Sequence, residues 1–350
     1  MADLEKIMSV SAGDIEKIMG VSTGDIEKVV GLDFPAGFLA YQGGTAFFIS
    51  GYGNASDNSI TADVFTLSVT STGDATDVGD LSEEFGYGSA VGSNVSNGNR
   101  IVIGGGQNGG VSNMMHYFTP ASYSGGSTDY ADLAQTKIYA GSASNGTIGM
   151  IGMGWSAWFT NQVDYFTISS TSNAADFGDS VQWGTTPSGS QSLTKAFFSG
   201  SYYNGAYNNV ISTFTFASPG NATDSGNLTS VRGGSSSTSG STEARVIVSI
   251  GGRGGTGGSV GDIFATEINY MNPASPGDAT DFGDSEAANV SGVPGNGTRM
   301  VWGGGTSSTA ASSATYWEDI HYIDIASTGN ATESSGTLPH RKQSAGGWTA

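Results

Sequence analysis

Hydrophobic residues in this chain come in short runs that end in glycine or other small residues, and one such run recurs six times. The copies are Ala46–Gly53 (AFFISGYG), Arg100–Gln107 (RIVIGGGQ), Ile148–Trp155 (IGMIGMGW), Ala196–Tyr203 (AFFSGSYY), Val246–Arg253 (VIVSIGGR) and Arg299–Thr306 (RMVWGGGT). Successive copies start about 48 to 54 residues apart. A continuous apolar run of this length, bounded by glycine, reads as a strand buried on both faces. Each is followed by a polar loop and then a strand mixing aromatic and β-branched residues: Asp63–Val69, Met115–Pro120, Val163–Ser169, Ile211–Ala217, Glu267–Met271 and Ile320–Ala326.

A turn-rich phrase comes next. It reads Ser71-Thr-Gly-Asp-Ala-Thr-Asp77 in the first unit, and matching phrases begin at Ser170, Ser218, Ser275 and Ser327; the second unit keeps only the weak match Ser127–Asp132. Glycine before Asn or Asp is turn chemistry, because glycine takes positive φ without steric cost. A Gly/Ser-rich strand such as Val231–Thr242 or Asn289–Thr298 leads into the next apolar run. Four short antiparallel strands per unit of about this length predict propeller blades, which bury their two faces only by stacking on neighbours. Coils of a β-solenoid are usually shorter than this period. The fold class is therefore all-β, a six-bladed β-propeller, or a seven-bladed one. Both Gly37–Thr45 and Gln343–Ala350 qualify as the strand that closes the ring.

Residues 1–34 differ from residues 35–350. Three 11-residue units begin at Asp3, Asp14 and Asp25, with apolar positions Ile7, Ile15, Ile18, Met19, Ile26 and Val29. Within a unit the apolar spacing i, i+3, i+4 predicts one face of a short helix; Asp14 and Asp25 can cap it, and Gly20 and Gly31 can end it. Gly13, Gly20 and Gly24 disfavour one continuous helix, since each costs about 1 kcal/mol relative to Ala. Three stacked helical turns are expected. So small a unit has too little core to stand alone, so its apolar side chains are expected to attach the chain to other subunits or to a larger particle, with a clasp folded back onto the propeller as the alternative.

The double-glycine run followed by an aromatic strand resembles the kelch motif. The phrase S-x-G-[DN]-A-T-D-F-G-D, fullest at Gly277–Asp284, is similar to the kelch-like repeats of structural and tail-associated proteins of phages that infect aquatic bacteria. The resemblance covers about residues 37 to 350, and the N-terminal units also look like repeats at the start of phage tail-associated proteins. It implies a kelch-like propeller on a short N-terminal helical-repeat anchor, in a virion protein of the tail or a fibre. The partners it implies are other virion proteins, in a multi-copy assembly.

Charge narrows the partners. Acidic residues outnumber basic ones 31 to 12, a formal net charge of −19, which disfavours nucleic acid and anionic membrane surfaces. No apolar stretch approaches a membrane span, and there is no cysteine. The beginning Met1-Ala-Asp-Leu-Glu-Lys lacks the basic and apolar regions of a secretory signal. A protein of adhesive composition without an export signal fits a virion component assembled in the host cytoplasm.

No catalytic constellation stands out, so no enzyme activity and no cofactor is expected. The three histidines, His116, His321 and His340, have no metal-binding spacing. His116 and His321 fall at similar places in two units and are expected to be structural. There is no nucleophile elbow and no Walker loop. Asp278, Asp281 and Asp284, like Asp74, Asp77 and Asp80, place three carboxylates within one turn region and form a weak Ca²⁺ candidate; solvated turn carboxylates are the plainer reading. Trp155, Trp158, Tyr202, Tyr203, Tyr207, Tyr316 and Trp317 concentrate in the loops after the apolar strands. Such loops share one end of a propeller, where exposed rings can stack on host-surface glycans or cap the space between blades. The expected function is a non-enzymatic virion protein displaying a binding face. A cellular adhesin or filament subunit is the alternative, and a polysaccharide-degrading propeller enzyme the third reading.

Overall fold

A computed structural model describes residues 28–29, 32–33, 44–52, 60–85, 93–107, 110–233, 237–238, 244–254, 263–286, 290, 292–305, 317–342 and 344–349. They form an all-β structure of antiparallel sheets resembling propeller blades. Among them no helix is long and apolar enough to cross a membrane.

Taken along the chain, the first sheet pairs Thr45–Tyr52, Ile60–Ser68 and Thr76–Asp80, with Ser344–Thr349 as its inner strand. The second holds Asn94–Ser96, Ile101–Gly104, Met114–Phe118 and Thr128–Asp132. The third holds Gly141–Ser144, Ile148–Gly152, Gln162–Thr167 and Ala175–Asp179. The fourth holds Ser188–Gln191, Lys195–Tyr203, Ala206–Thr215 and Thr223–Asn227. The fifth holds Arg232–Gly233, Val246–Gly254, Ile263–Met271 and Thr280–Asp284. A three-stranded sixth holds Arg299–Gly303, Trp317–Asp324 and Thr332–Lys342. In each four-stranded sheet the second strand is the apolar run of one repeat, and in the three-stranded sixth sheet that run is the first strand. The closing strand is the C-terminal one: Trp348 pairs with Phe47 and Thr349 with Ala46. Outside the eroded second unit, the outermost strands begin on the last two residues of each turn-rich phrase and run on beyond it, where the pattern predicts turn.

The apolar runs are buried on both faces, as their composition predicts. Phe197 packs with Ile211, Leu228, Val246 and Val248 between the fourth and fifth sheets. The adjacent Phe198 packs with Met150, Val163 and Phe177 between the third and fourth. Full burial of one such side chain contributes about 1.5–3 kcal/mol. Similar clusters fill the space between first and second sheets (Phe47, Ile49, Ile101, Phe118), second and third (Val95, Met115, Ile151, Phe166), and fifth and sixth (Ile247, Ile268, Trp302, Ile323). A last cluster joins the sixth sheet back to the first through Val301, Ile320, Leu338, Phe48 and Phe65.

At the inner edge, neighbouring strands lie almost in contact. Ser142 Oγ donates to the Asn94 carbonyl at 2.7 Å and Ser144 Oγ to that of Ser96 at 3.0 Å. A Cβ on Gly189 would sit 2.0 Å from the Ser142 carbonyl oxygen, so only glycine fits there. Ser237–Thr238 even pairs in parallel with Gly292–Val293 of the next repeat. This is why the inner strands are rich in Gly and Ser.

The outer rim explains the repeated phrase. Asn221 Oδ1 accepts the Asp179 N–H of the preceding sheet at 3.0 Å, while the Ala222 N–H returns to the Asp179 carbonyl at 2.8 Å. The same pair of bonds is made by Asn330 and Ala331 on Asp284, by Asp278 and Ala279 on Asn227, and by Asn173 and Ala174 on Asp132. Asp74 and Ala75 make it on Thr337, latching the first sheet to the sixth across most of the chain. At the eroded second copy, Ser127 Oγ stands in, accepting the Ser82 N–H.

In the N-terminal region, Lys28–Val29 pairs antiparallel with Leu32–Asp33. This corrects the expected helical turn at the end of the third unit. β-branched Val29 favours an extended backbone over a helical one. Ile7, Ile15, Ile18, Met19 and Ile26 lie outside the described residues.

The latch makes a prediction. Asn221→Ala should lower stability by about 1 kcal/mol, the net worth of one hydrogen bond, while Asn221→Asp should stay close to the wild type because aspartate fills the same place at Asp74 and Asp278. Urea unfolding of both variants checks this. Equal losses would mean that the side-chain acceptor contributes nothing.

Candidate functional site

Because strands alternate in direction, the loop after each second strand and the connection from each outermost strand to the next sheet share one end of the ring. Three such segments meet between the third and fourth sheets. The loop 153–161 follows Ile148–Gly152, the connection 180–187 follows Ala175–Asp179, and a tight turn at Asn204 and Gly205 joins Lys195–Tyr203 to Ala206–Thr215. Both turn residues have positive φ, 45° and 90°, which is the geometry that suits Asn-Gly in a two-residue hairpin.

The connection is clamped between the other two segments. Gly154 N–H donates to the Gly184 carbonyl at 2.8 Å, and Thr185 and Tyr202 exchange backbone bonds of 2.9 and 3.0 Å. Ser201 Oγ donates to the Trp183 carbonyl at 3.0 Å. Gly184 has φ +144°, and a Cβ there would meet Ser201 Oγ at 2.5 Å, so the close approach depends on glycine.

This clamp gathers the aromatic residues. Trp155 and Trp158 lie 5.6 Å apart, and Phe159 packs edge-on against both, at 4.9 and 5.5 Å. Phe159 also meets Tyr202 at 6.2 Å and Tyr203 at 5.1 Å, and Tyr202 meets Tyr207 at 5.1 Å. Five of the seven rings expected from the sequence thus form one cluster, nucleated by the buried Phe159, which the sequence reading missed. Among the described residues the exposed large hydrophobic side chains are Trp158 (57%), Trp183 (48%), Val181 (44%) and Tyr203 (40%). All four belong to these three segments.

Trp317 is not part of this surface. It stacks on His321 at 6.0 Å, and Trp302 stacks on His321 at 6.1 Å. Tyr316 lies outside the described residues. Trp183 was legible as an aromatic residue, but it sits in the connection after an outermost strand rather than in a loop after an apolar run.

The patch is uncharged. Residues 153–161, 180–187 and 200–209 contain no Asp, Glu, Lys or Arg. Arg100, Lys195, Arg232, Arg245 and Arg299, which lie in or beside the sheets, are each engaged within the protein. Arg100 lies 4.2 Å over the Tyr117 ring and reaches the Ile168 carbonyl of the next sheet. Lys195 and Arg245 bind the carbonyls of Pro273 and Ile325, also one sheet on. Arg232 binds Glu267, and Arg299 binds Asp324 at 3.0 Å.

Beneath the patch, Lys137 and Asp164 form a fully buried ion pair at 3.1 Å. Lys137 Nζ also donates to the Gln162 carbonyl at 2.8 Å, and Asp164 accepts from Gln162 Nε2 and the Gln135 N–H. Burial pulls the Lys137 ammonium below the ordinary lysine range, and the Asp164 carboxylate opposes that shift. Asp164 occupies a position just after the bulge in the third strand of its sheet. Ser212, Asn269, His116 and His321 hold the same position in other sheets. Ser212 accepts the Val181 N–H at 3.1 Å, Asn269 accepts the Thr229 N–H at 2.9 Å, and His116 Nδ1 meets Ser127 Oγ at 3.1 Å. Asp164, Ser212 and Asn269 thus tie down the connection that leaves the preceding sheet, and His116 holds the segment before its own outermost strand. His321 instead faces Glu286 at 3.7 Å, and burial lowers its pKa while Glu286, Glu333 and Asp319 counteract.

The acidic phrases are occupied by backbone. Asp74 and Asp278 serve as latches, Asp77 and Asp281 accept the N–H of Gly79 and Gly283 at 2.8 and 3.0 Å, and Asp284 accepts the Thr266 hydroxyl at 3.2 Å. Among the described residues no three His, Cys, Asp or Glu side chains come together to hold a metal. Comparison with protein-family models and with curated proteins finds no match.

Two predictions follow the buried groups. Lys137→Met leaves Asp164 buried without its counter-charge and should cost about 3–5 kcal/mol, whereas adding Asp164→Leu should recover most of the loss. Urea unfolding of both proteins decides it; equal instability would show that the pair's charges do not matter to each other. For His321, the folded pKa is lower than the unfolded value of about 6.5, so the unfolded chain binds more protons in the interval between them. Its contribution is therefore complete above that value and is lost as pH falls toward the folded pKa. His321→Phe should flatten the midpoint-against-pH curve in that interval, and an unchanged slope would assign the acid sensitivity elsewhere.

Proposed function

We propose that the chain is a six-bladed, kelch-like β-propeller that serves as a non-enzymatic structural protein of a virion, in the tail or a fibre. It docks through its N-terminal repeats and displays one end of the ring to the host surface. The blade count is supported by six inter-sheet clusters that run in order and return from the sixth sheet to the first. The observation that carries the display role is that, among the described residues, the exposed large hydrophobic side chains all fall on three segments that meet at one end. Contiguous exposed apolar surface on a soluble protein marks an interaction site. The virion assignment rests on the repeated Gly-Asn-Ala-Thr-Asp phrase and the three 11-residue units that precede the ring.

Display in many copies suits a shallow surface. Weak single contacts combine into strong attachment when a particle carries several. A polar or charged capture site is not required for that, and the patch between the third and fourth sheets has neither a cation nor a carboxylate to offer.

Deletion of residues 1–34 should leave a protein with the full β circular-dichroism signal that no longer enters particles when supplied to the producing host. Loss of the β signal would show that the repeats and the ring are one folding unit. Incorporation of the truncated protein would overturn the anchoring role. A gene placed among capsid and tail genes supports the virion reading, and one placed among cell-surface genes favours a cellular adhesin.

A further inference from the structure

We propose that the strip running from Trp158 across Phe159 to Tyr203, with Trp183 beside it, is a binding row for an uncharged polysaccharide, a chain of neutral pyranose sugars. The inference rests on reading this end of the ring as the displayed face and names its ligand. A pyranose ring presents a face of C–H groups edged by hydroxyls. The C–H face stacks on the electron-rich face of an aromatic ring, and the edge needs amides and hydroxyls beside it.

The patch has both. Phe159 meets Trp158 at 84° and Tyr203 at 68°, so the buried phenyl supports the two exposed rings by its edges and faces without covering them. Trp158 and Tyr203 stand 5.5 and 5.1 Å from Phe159, and two separately supported rings suit successive sugars better than one. Asn204 is exposed on the turn beside Tyr203, and Ser156 and Asn208 are half-buried at the border.

Charge selects among sugar polymers. A uronate or sulfated chain needs cations; the three segments of the patch contain none, and Arg100, Lys137, Lys195, Arg232, Arg245 and Arg299 are already held by carbonyls or carboxylates elsewhere. The protein's charge of −19 repels a polyanion further. Composition argues against a protein partner of ordinary apolar kind. Three of the four exposed side chains are aromatic, and the single aliphatic one is Val181.

The full chain is run by affinity electrophoresis through gels containing a soluble β-glucan, a galactan or a mannan, with alginate as the polyanionic control. The expected result is retardation by at least one neutral polymer, unchanged by added salt. The double variant Trp158→Ala/Tyr203→Ala and the single variant Trp183→Ala should each weaken it about tenfold, with circular dichroism unchanged. Failure of all three neutral polymers to retard the protein, or retardation by alginate alone, overturns the proposal. So does a wild type that sediments as a dimer and becomes monomeric in the variants, because the patch is then an interface between copies. If no neutral polymer binds while particles carrying the double variant lose attachment to cells, the display role stands and only the ligand class falls. If a polymer binds through these rings while attachment is unaffected, the ligand class stands and the display role falls.

Discussion

Each sheet of this protein is apolar on both of its faces, and that single constraint organises the rest. Consecutive side chains of one strand, such as Phe197 and Phe198, enter different clusters on opposite sides of the sheet. A sheet of this kind has no solvent face and is insoluble alone, so each must be covered twice. A row of sheets would leave its two ends uncovered. The cluster that joins Val301 and Leu338 to Phe48 and Phe65 removes those ends. Core formation and closure are therefore the same event.

Packing at the centre and at the rim obeys opposite demands. Toward the centre the sheets converge, and the side chains shrink to Gly and Ser so that a hydroxyl of one strand reaches the carbonyl of its neighbour. Toward the rim they diverge, and the gap is bridged by the Asn or Asp of the turn phrase with its following alanine. The alanine methyl fits the edge of the apolar cluster, as Ala75 and Ala174 do, while its N–H completes the two-bond latch. The phrase repeats because the same gap repeats. Aspartate and asparagine alternate there because the geometry asks only for one side-chain oxygen.

The ring was legible in the sequence wherever hydrophobicity carried the information. The apolar run and the aromatic strand of each unit fall where the pattern puts them, to within a few residues. The outermost strand was hidden because its side chains are mostly exposed and polar, as in Thr223–Asn227, and read as turn. The closing strand was ambiguous because both ends of the chain carry a suitable segment, and only pairing with Phe47 and Ala46 decides between them. Of the site, the rings after the apolar strands were visible, but their grouping was not. Trp155 and Tyr202 are brought together by a clamp that depends on Gly184, whereas Trp317, the first residue of the strand Trp317–Asp324, turns onto a buried imidazole. The ion pair of Lys137 and Asp164 left no trace, since a lone lysine in a connecting segment looks like any solvated one.

The inner strand of the first sheet comes from the far end of the chain, and this has a consequence for how the molecule is made. Ribosomes deliver the strand Thr45–Tyr52 long before its partner Ser344–Thr349, so during synthesis the apolar edge of the first sheet waits unpaired. Native contacts of such wide sequence separation slow folding, although the entropic penalty of closing a long loop grows only logarithmically. An unpaired edge carrying Phe47, Phe48 and Ile49 is also where two nascent chains can pair with each other. The nascent chain therefore meets its greatest aggregation hazard in the interval before Ser344–Thr349 emerges, and chaperone demand should concentrate there.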